Sequence, residues 1–106
     1  MAEQKPNPQQ GQINIELSEE IAEGQYSNLA IITHSTSEFV VDFIRMVPNV
    51  PKAKVKSRII LTPQHAKRLL HALAENVKKY EAQFGNIEHQ QDQPYPPINF
   101  TPTAMA

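Results

Sequence analysis

"AKVKSRIILTPQHAKRLLHALAENVKKYEAQFG", Ala53 to Gly85, changes its period in the middle. As far as Leu61 the residues alternate, with Val55, Ser57, Ile59 and Leu61 on one side and Lys54, Lys56, Arg58 and Ile60 on the other. Alternation of that kind marks a strand with one inward face, here backed by a basic one. After Pro63 the apolar positions fall at Ala66, Leu70, Leu73, Val77, Tyr80 and Phe84, in steps of four and three that trace one stripe of a helix. Thr62 suits the N-cap. Pro63 suits the first helical position, where its missing N–H is not needed. Gly85 can close the far end in a left-handed conformation. The switch predicts a strand over 53–61 and a helix over 63–84, and so an α+β chain.

Upstream, "EFVVDFIRMV" (Glu38–Val47) is the strongest strand signal, rich in β-branched and aromatic residues. One side carries Phe39, Val41, Phe43, Arg45 and Val47. The other carries Val40, Asp42, Ile44 and Met46. "NLAIITHS" (Asn28–Ser35) reads as another strand, separated from it by a Ser-Thr-Ser turn whose hydroxyls can bond local backbone. "INIEL" (Ile13–Leu17) alternates with period two and reads as a first strand. Gly24 argues for a bulge or turn in 18–27 rather than a continuous helix. Pro48 and Pro51 break the chain between the last two strands, since neither can donate to a ladder. Short connections favour an antiparallel meander. The expected fold is therefore α+β: an antiparallel four-stranded meander sheet followed by one long C-terminal helix on a face, within a single domain over 13–88. Residues 1–12 and the Pro/Gln-rich 89–106 read as disordered tails.

The chain has 106 residues, a formal net charge of −1 and no cysteine. No disulfide or thiolate metal site is open to it. No basic-then-apolar signal segment stands at the N-terminus, and the longest aliphatic run, Leu29–Ile32, is too short for a membrane span. A cytoplasmic protein is expected, and Asn99-Phe100-Thr101 is treated as a chance match to the glycosylation pattern. A core of that size is marginal on its own, which leaves oligomerisation as the common way to add buried area. A helix of 22 residues is about 33 Å long, whereas a strand of eight reaches only about 26 Å. Its far end should overhang the sheet. The stripe Leu70, Leu73, Val77, Tyr80 and Phe84 is the expected interface of a homo-oligomer, a dimer first of all.

Catalysis finds no support. The three glycines, Gly11, Gly24 and Gly85, build no phosphate loop. His65 and His71 are six apart, pointing away from each other around a helix, and cannot share a metal. His34 and Ser35 are neighbours on a strand and face opposite ways, so no triad forms with Asp42. No cofactor is expected. Asp42 needs a partner if buried: Arg58 or Lys56 of the next strand would serve, and ligand recognition is the alternative. Lys52, Lys54, Lys56 and Arg58 could meet an acidic protein surface or phosphate backbones, could guard a sheet edge, or could face the acidic 16–23 segment. With no aromatic residue among them, base stacking is unsupported. Tyr95, Ile98 and Phe100, set among prolines, could form a linear docking motif, with an inert tail as the alternative.

The segments "EFVVDF" (Glu38–Phe43) and "SRIILTPQHAKRLL" (Ser57–Leu70) resemble a prokaryotic family of short proteins, domain of unknown function 3467, and the likeness extends over Ile13–Ile87. The proline-rich tail resembles the Bacteroidota members. The family has no assigned activity. In Bacteroidota its gene neighbours those for the large RNA polymerase subunits, so the resemblance implies a transcription-associated role. The functional expectation is a non-enzymatic, oligomeric protein-binding adaptor with RNA polymerase as a candidate partner. The alternative is a direct nucleic-acid binder using the basic strand 52–58.

Overall fold

The computed structural model describes residues 11–88 and 98–100. The chain divides into two compact units, Met1–Pro63 and Gln64–Ala106. The tail expectation for 1–10, 89–97 and 101–106 lies outside the described residues.

The first unit holds a three-stranded antiparallel sheet in the order β1 (Leu29–His34), β2 (Phe39–Arg45), β3 (Lys54–Leu61). All three lie where alternation and β-branched content place them. The β1–β2 turn uses Ser35 as expected: its N–H donates to the Glu38 carbonyl at 2.9 Å, and its Oγ accepts from the Ser37 N–H at 3.2 Å. Between β2 and β3, the Val50 N–H donates to the Val47 carbonyl at 3.1 Å, with Pro48 and Asn49 as the central residues. Asn49 has φ 66, the positive value that a type II turn requires at its third position and that Asn tolerates.

The fourth strand is a correction. Ile13–Leu17 pairs with nothing in the sheet and has no regular structure. Ile13, Ile15 and Leu17 are 83%, 90% and 70% exposed. Period two shows only that a segment could line one face; a strand also needs a free edge to join. Just beyond it comes a one-turn helix, α1 (Glu19–Ala22), where only a turn or bulge was expected. Ser18 caps it, its Oγ accepting from the Ile21 N–H at 3.2 Å, and Glu19 and Glu20 sit in the first turn, where carboxylates favour a helix. Gly24 then turns the chain away at φ 80.

Residues opposite each other across strands share a face. Phe39, Val41 and Phe43 lie with Leu61, Ile59 and Ser57 on one side and with His34, Ile32 and Ala30 on the other. Val40 and Asp42 lie with Ile60 and Arg58 on the reverse face. Among the described residues the buried apolar side chains are Val41, Ile44 and Leu61, all in β2 or at the end of β3. This small core anchors the central strand. Stacking of His34 on Phe39, with ring centroids 5.3 Å apart, extends it toward the turn.

The second unit is built on α2 (Pro63–Phe84), with the bounds that the change of period predicts. The Gly85 N–H donates to the Glu81 carbonyl at 2.9 Å, and Gly85 itself has φ 96. The Glu81 side chain turns back to accept from the Ile87 N–H at 2.9 Å. This satisfies one more backbone donor just past the helix end.

Candidate functional site

A bulge decides the chemistry of β3. Phe43 pairs with Ser57 and Ile44 with Val55, so Lys56 is an extra residue in that strand. On the far side of the bulge the faces exchange. Val55, expected in one row with Ser57 and Ile59, stands opposite Ile44; Lys54 stands opposite Arg45. Lys54 and Arg58, expected on one basic face, lie on opposite faces. The sequence shows unbroken alternation here, and nothing in "KVKSR" announces the extra residue.

Arg58 is already engaged. Asp42 is the one buried charged residue among those described, and Arg58 is its register partner. The guanidinium donates from Nε to Oδ1 at 2.6 Å and from Nη2 to Oδ2 at 2.8 Å. The Asp42 side chain is 2% accessible and that of Arg58 47%, so the carboxylate is buried while the arginine is about half exposed. Hydrogen bonding from Arg58 holds the Asp42 pKa below the usual carboxylate value, outweighing the upward push of burial, and the arginine charge adds to the lowering. The same pair raises the Arg58 pKa. Of the partners considered for Asp42, the structure selects Arg58. The pair is a structural cross-link.

Lys52, Lys54 and Lys56 remain exposed in and before β3. Lys54 faces Arg45 across the strands, a like-charge pair that the sheet tolerates at a small cost. The Arg45 guanidinium carbon lies 5.8 Å from the centre of the Tyr26 ring, which offsets part of it.

Two features at this end escaped sequence reasoning. Asn28 clamps the end of β2: its Nδ2 donates to the Met46 carbonyl at 3.0 Å and its Oδ1 accepts from the Met46 N–H at 2.8 Å. The Ser27 Oγ donates to the Ile44 and Leu29 carbonyls at 3.1 and 3.0 Å. An Asn or Ser just before a strand hints at such bonds, but a contact 18 residues away in sequence has no local signature.

Along α2, the stripe of Leu70, Leu73, Val77, Tyr80 and Phe84 is accessible over its whole length, from 64% at Leu70 to 36% at Val77 and 66% at Phe84. No residue of the helix is buried. The Tyr80 and Phe84 rings meet at 5.0 Å, tilted by 47°, and make its last turn aromatic. Of the docking-motif residues, Phe100 is 37% exposed; Tyr95 lies outside the described residues. Among the described residues no group of three metal-ligating side chains comes together, and no helix is long and apolar enough to cross a membrane.

Sheet, bulge and capped helix define a small α+β protein with an antiparallel three-stranded sheet. The family profile described as "Protein of unknown function (DUF3467)" matches residues 1–89, and the chain belongs to that family. No curated protein and no solved structure matches it.

Proposed function

We propose that the chain is a non-enzymatic, self-associating accessory protein that holds a protein partner in the cytoplasm. One observation carries this: a helix of 22 residues presents an apolar stripe and buries none of it. A row of large apolar side chains on a chain of this size calls for a partner surface. A second copy of the same helix supplies one at no cost in specificity, because a two-fold axis sets like against like. Pairing through Leu70, Leu73, Val77, Tyr80 and Phe84 gives a homodimer. Lys52, Lys54 and Lys56, with Phe100 and Tyr95, are then left for the heterologous partner.

The gene neighbourhood of the family's Bacteroidota members makes RNA polymerase the partner to test first. A tagged full-length chain, purified from its host and analysed by mass spectrometry, should enrich polymerase subunits over an untagged control. Equal amounts in both would end the transcription reading.

A second reading, direct nucleic-acid binding through Lys52, Lys54, Lys56 and Arg58, has one observation in its favour. Arg45 and Lys54 stand opposite each other, and a phosphate between them would relieve their repulsion. Binding through phosphates weakens steeply as salt rises. Titration with duplex DNA and with RNA over a salt series separates the two readings.

A further inference from the structure

The segment Ile13–Leu17 and the outer edge of β3 fit each other, and in the described chain they are apart. β3 ends the sheet order, so among the described residues one side of its backbone has no ladder partner. Such an edge is a template for a further strand. Its sequence makes it selective. From Phe43 to Ala74 the chain holds bases and no acid, while from Pro6 to Ile44 it holds acids and no lysine or arginine. Two β3 edges repel each other. A strand carrying Glu16, followed by Glu19 and Glu20, is attracted.

We infer that Ile13–Leu17 of one copy adds as a fourth, antiparallel strand to the β3 edge of a second copy, and that the exchange is reciprocal. One register satisfies both pattern and charge. Setting Ile13, Ile15 and Leu17 against Leu61, Ile59 and Ser57 continues the apolar row that runs through Phe39, Val41 and Phe43. Parity then sets Glu16 against Arg58 on the reverse face, lengthening the Asp42–Arg58 pair into a three-residue charge ladder. The acidic first turn of α1 comes beside Lys56 and Lys54, past the bulge. Run parallel against the same Ser57, Ile59 and Leu61, the strand would put Glu16 beside Ile60 and lose the charge match.

This surface is separate from the helix stripe, and its test reads it separately. The chain has no cysteine, so Leu17→Cys with Ser57→Cys introduces the only thiols, at facing positions in the stated register and within disulfide reach. Mild oxidation should give a covalent dimer on a non-reducing gel, and Leu17→Cys with Ile59→Cys, out of register, should not. An intramolecular disulfide, no cross-link, or equal cross-linking by both pairs overturns the proposal.

A charge exchange at exposed positions checks it without threatening the fold. Chains with Glu19→Lys and Glu20→Lys, or with Lys54→Glu and Lys56→Glu, should each self-associate about tenfold more weakly than the wild type, and a mixture of the two should form heterodimers. Unchanged self-association of both, or a mixture that fails to pair, overturns it. Repeating the cross-link with Val77→Asp isolates the exchange from helix pairing. Loss of the exchange alone leaves dimers in sedimentation with no disulfide; loss of helix pairing alone leaves the cross-link intact.

Discussion

Arg58 and Asp42 face each other across β2 and β3 and are joined by two parallel hydrogen bonds, 2.6 and 2.8 Å long. A fork on a carboxylate is directional, which a lone lysine could not match. It fixes the strand register: a slip by one residue would set Asp42 against Ile59 or Ser57, neither of which carries a charge. Arg58→Ala should destabilise the protein by leaving a buried carboxylate without its donors. Arg58→Lys should recover only part of that. Urea unfolding followed by circular dichroism measures both.

Acid should release this pair in a defined direction. The Asp42 pKa is lowered in the folded chain from an ordinary value of 3.8, so the unfolded state takes up its proton first as pH falls. The stabilisation is fully present above 3.8 and is lost as pH drops through the lower, folded value. Unfolding free energies measured from neutral pH into the acid range should decline along this limb. Asp42→Asn should flatten it; an identical slope in that variant would assign the effect to other carboxylates.

Asn28 should matter more than an exposed residue usually does. Removing its side chain breaks both bonds to the Met46 backbone. Asn28→Ala is expected to cost about 1–2 kcal/mol, less than a buried pair because water can replace it. Hydrogen exchange should show the Met46 amide losing protection before the centre of β2 does.

The end of α2 offers a conformational test. Gly85 adopts φ 96, and a Cβ placed there would meet nothing within 4 Å. Gly85→Ala therefore suffers no steric clash with neighbouring atoms. Its cost, about 1 kcal/mol, comes from the left-handed backbone alone, and thermal melting should show it in full.

The helix stripe makes the fifth prediction. Val77→Asp, at the middle of the row, should remove the proposed helix pairing and lower the assembly size in sedimentation experiments to what the strand exchange alone holds, while helix content by circular dichroism is retained. A wild-type chain that stays monomeric at high concentration would refute helix pairing outright.

The legible part of this fold was its local part. The 62–63 junction placed the end of β3 and the start of α2 because capping and proline chemistry act within one turn. β2 was legible from its branched and aromatic residues, and Asp42 announced a partner by being a lone charge among them. What could not be read depends on pairing across distance. Ile13–Leu17 carries the alternation of a strand, but alternation says nothing about which edge is free. The Lys56 bulge arises from how two strands meet at Phe43 and Ile44, information that neither strand holds separately. The four-residue α1 was hidden because its cap, Ser18, was read as part of a turn.

The bulge at Lys56 also acts as a change of parity. Before it, odd and even positions of β3 point one way; after it, they have traded sides. The cations of this strand are thereby dealt to both surfaces: Lys54 joins Arg45 above, and Arg58 stays below, committed to Asp42. A rigid polyanion lying along one side of the sheet meets only part of that charge. A flexible acidic segment that follows the edge itself can reach both.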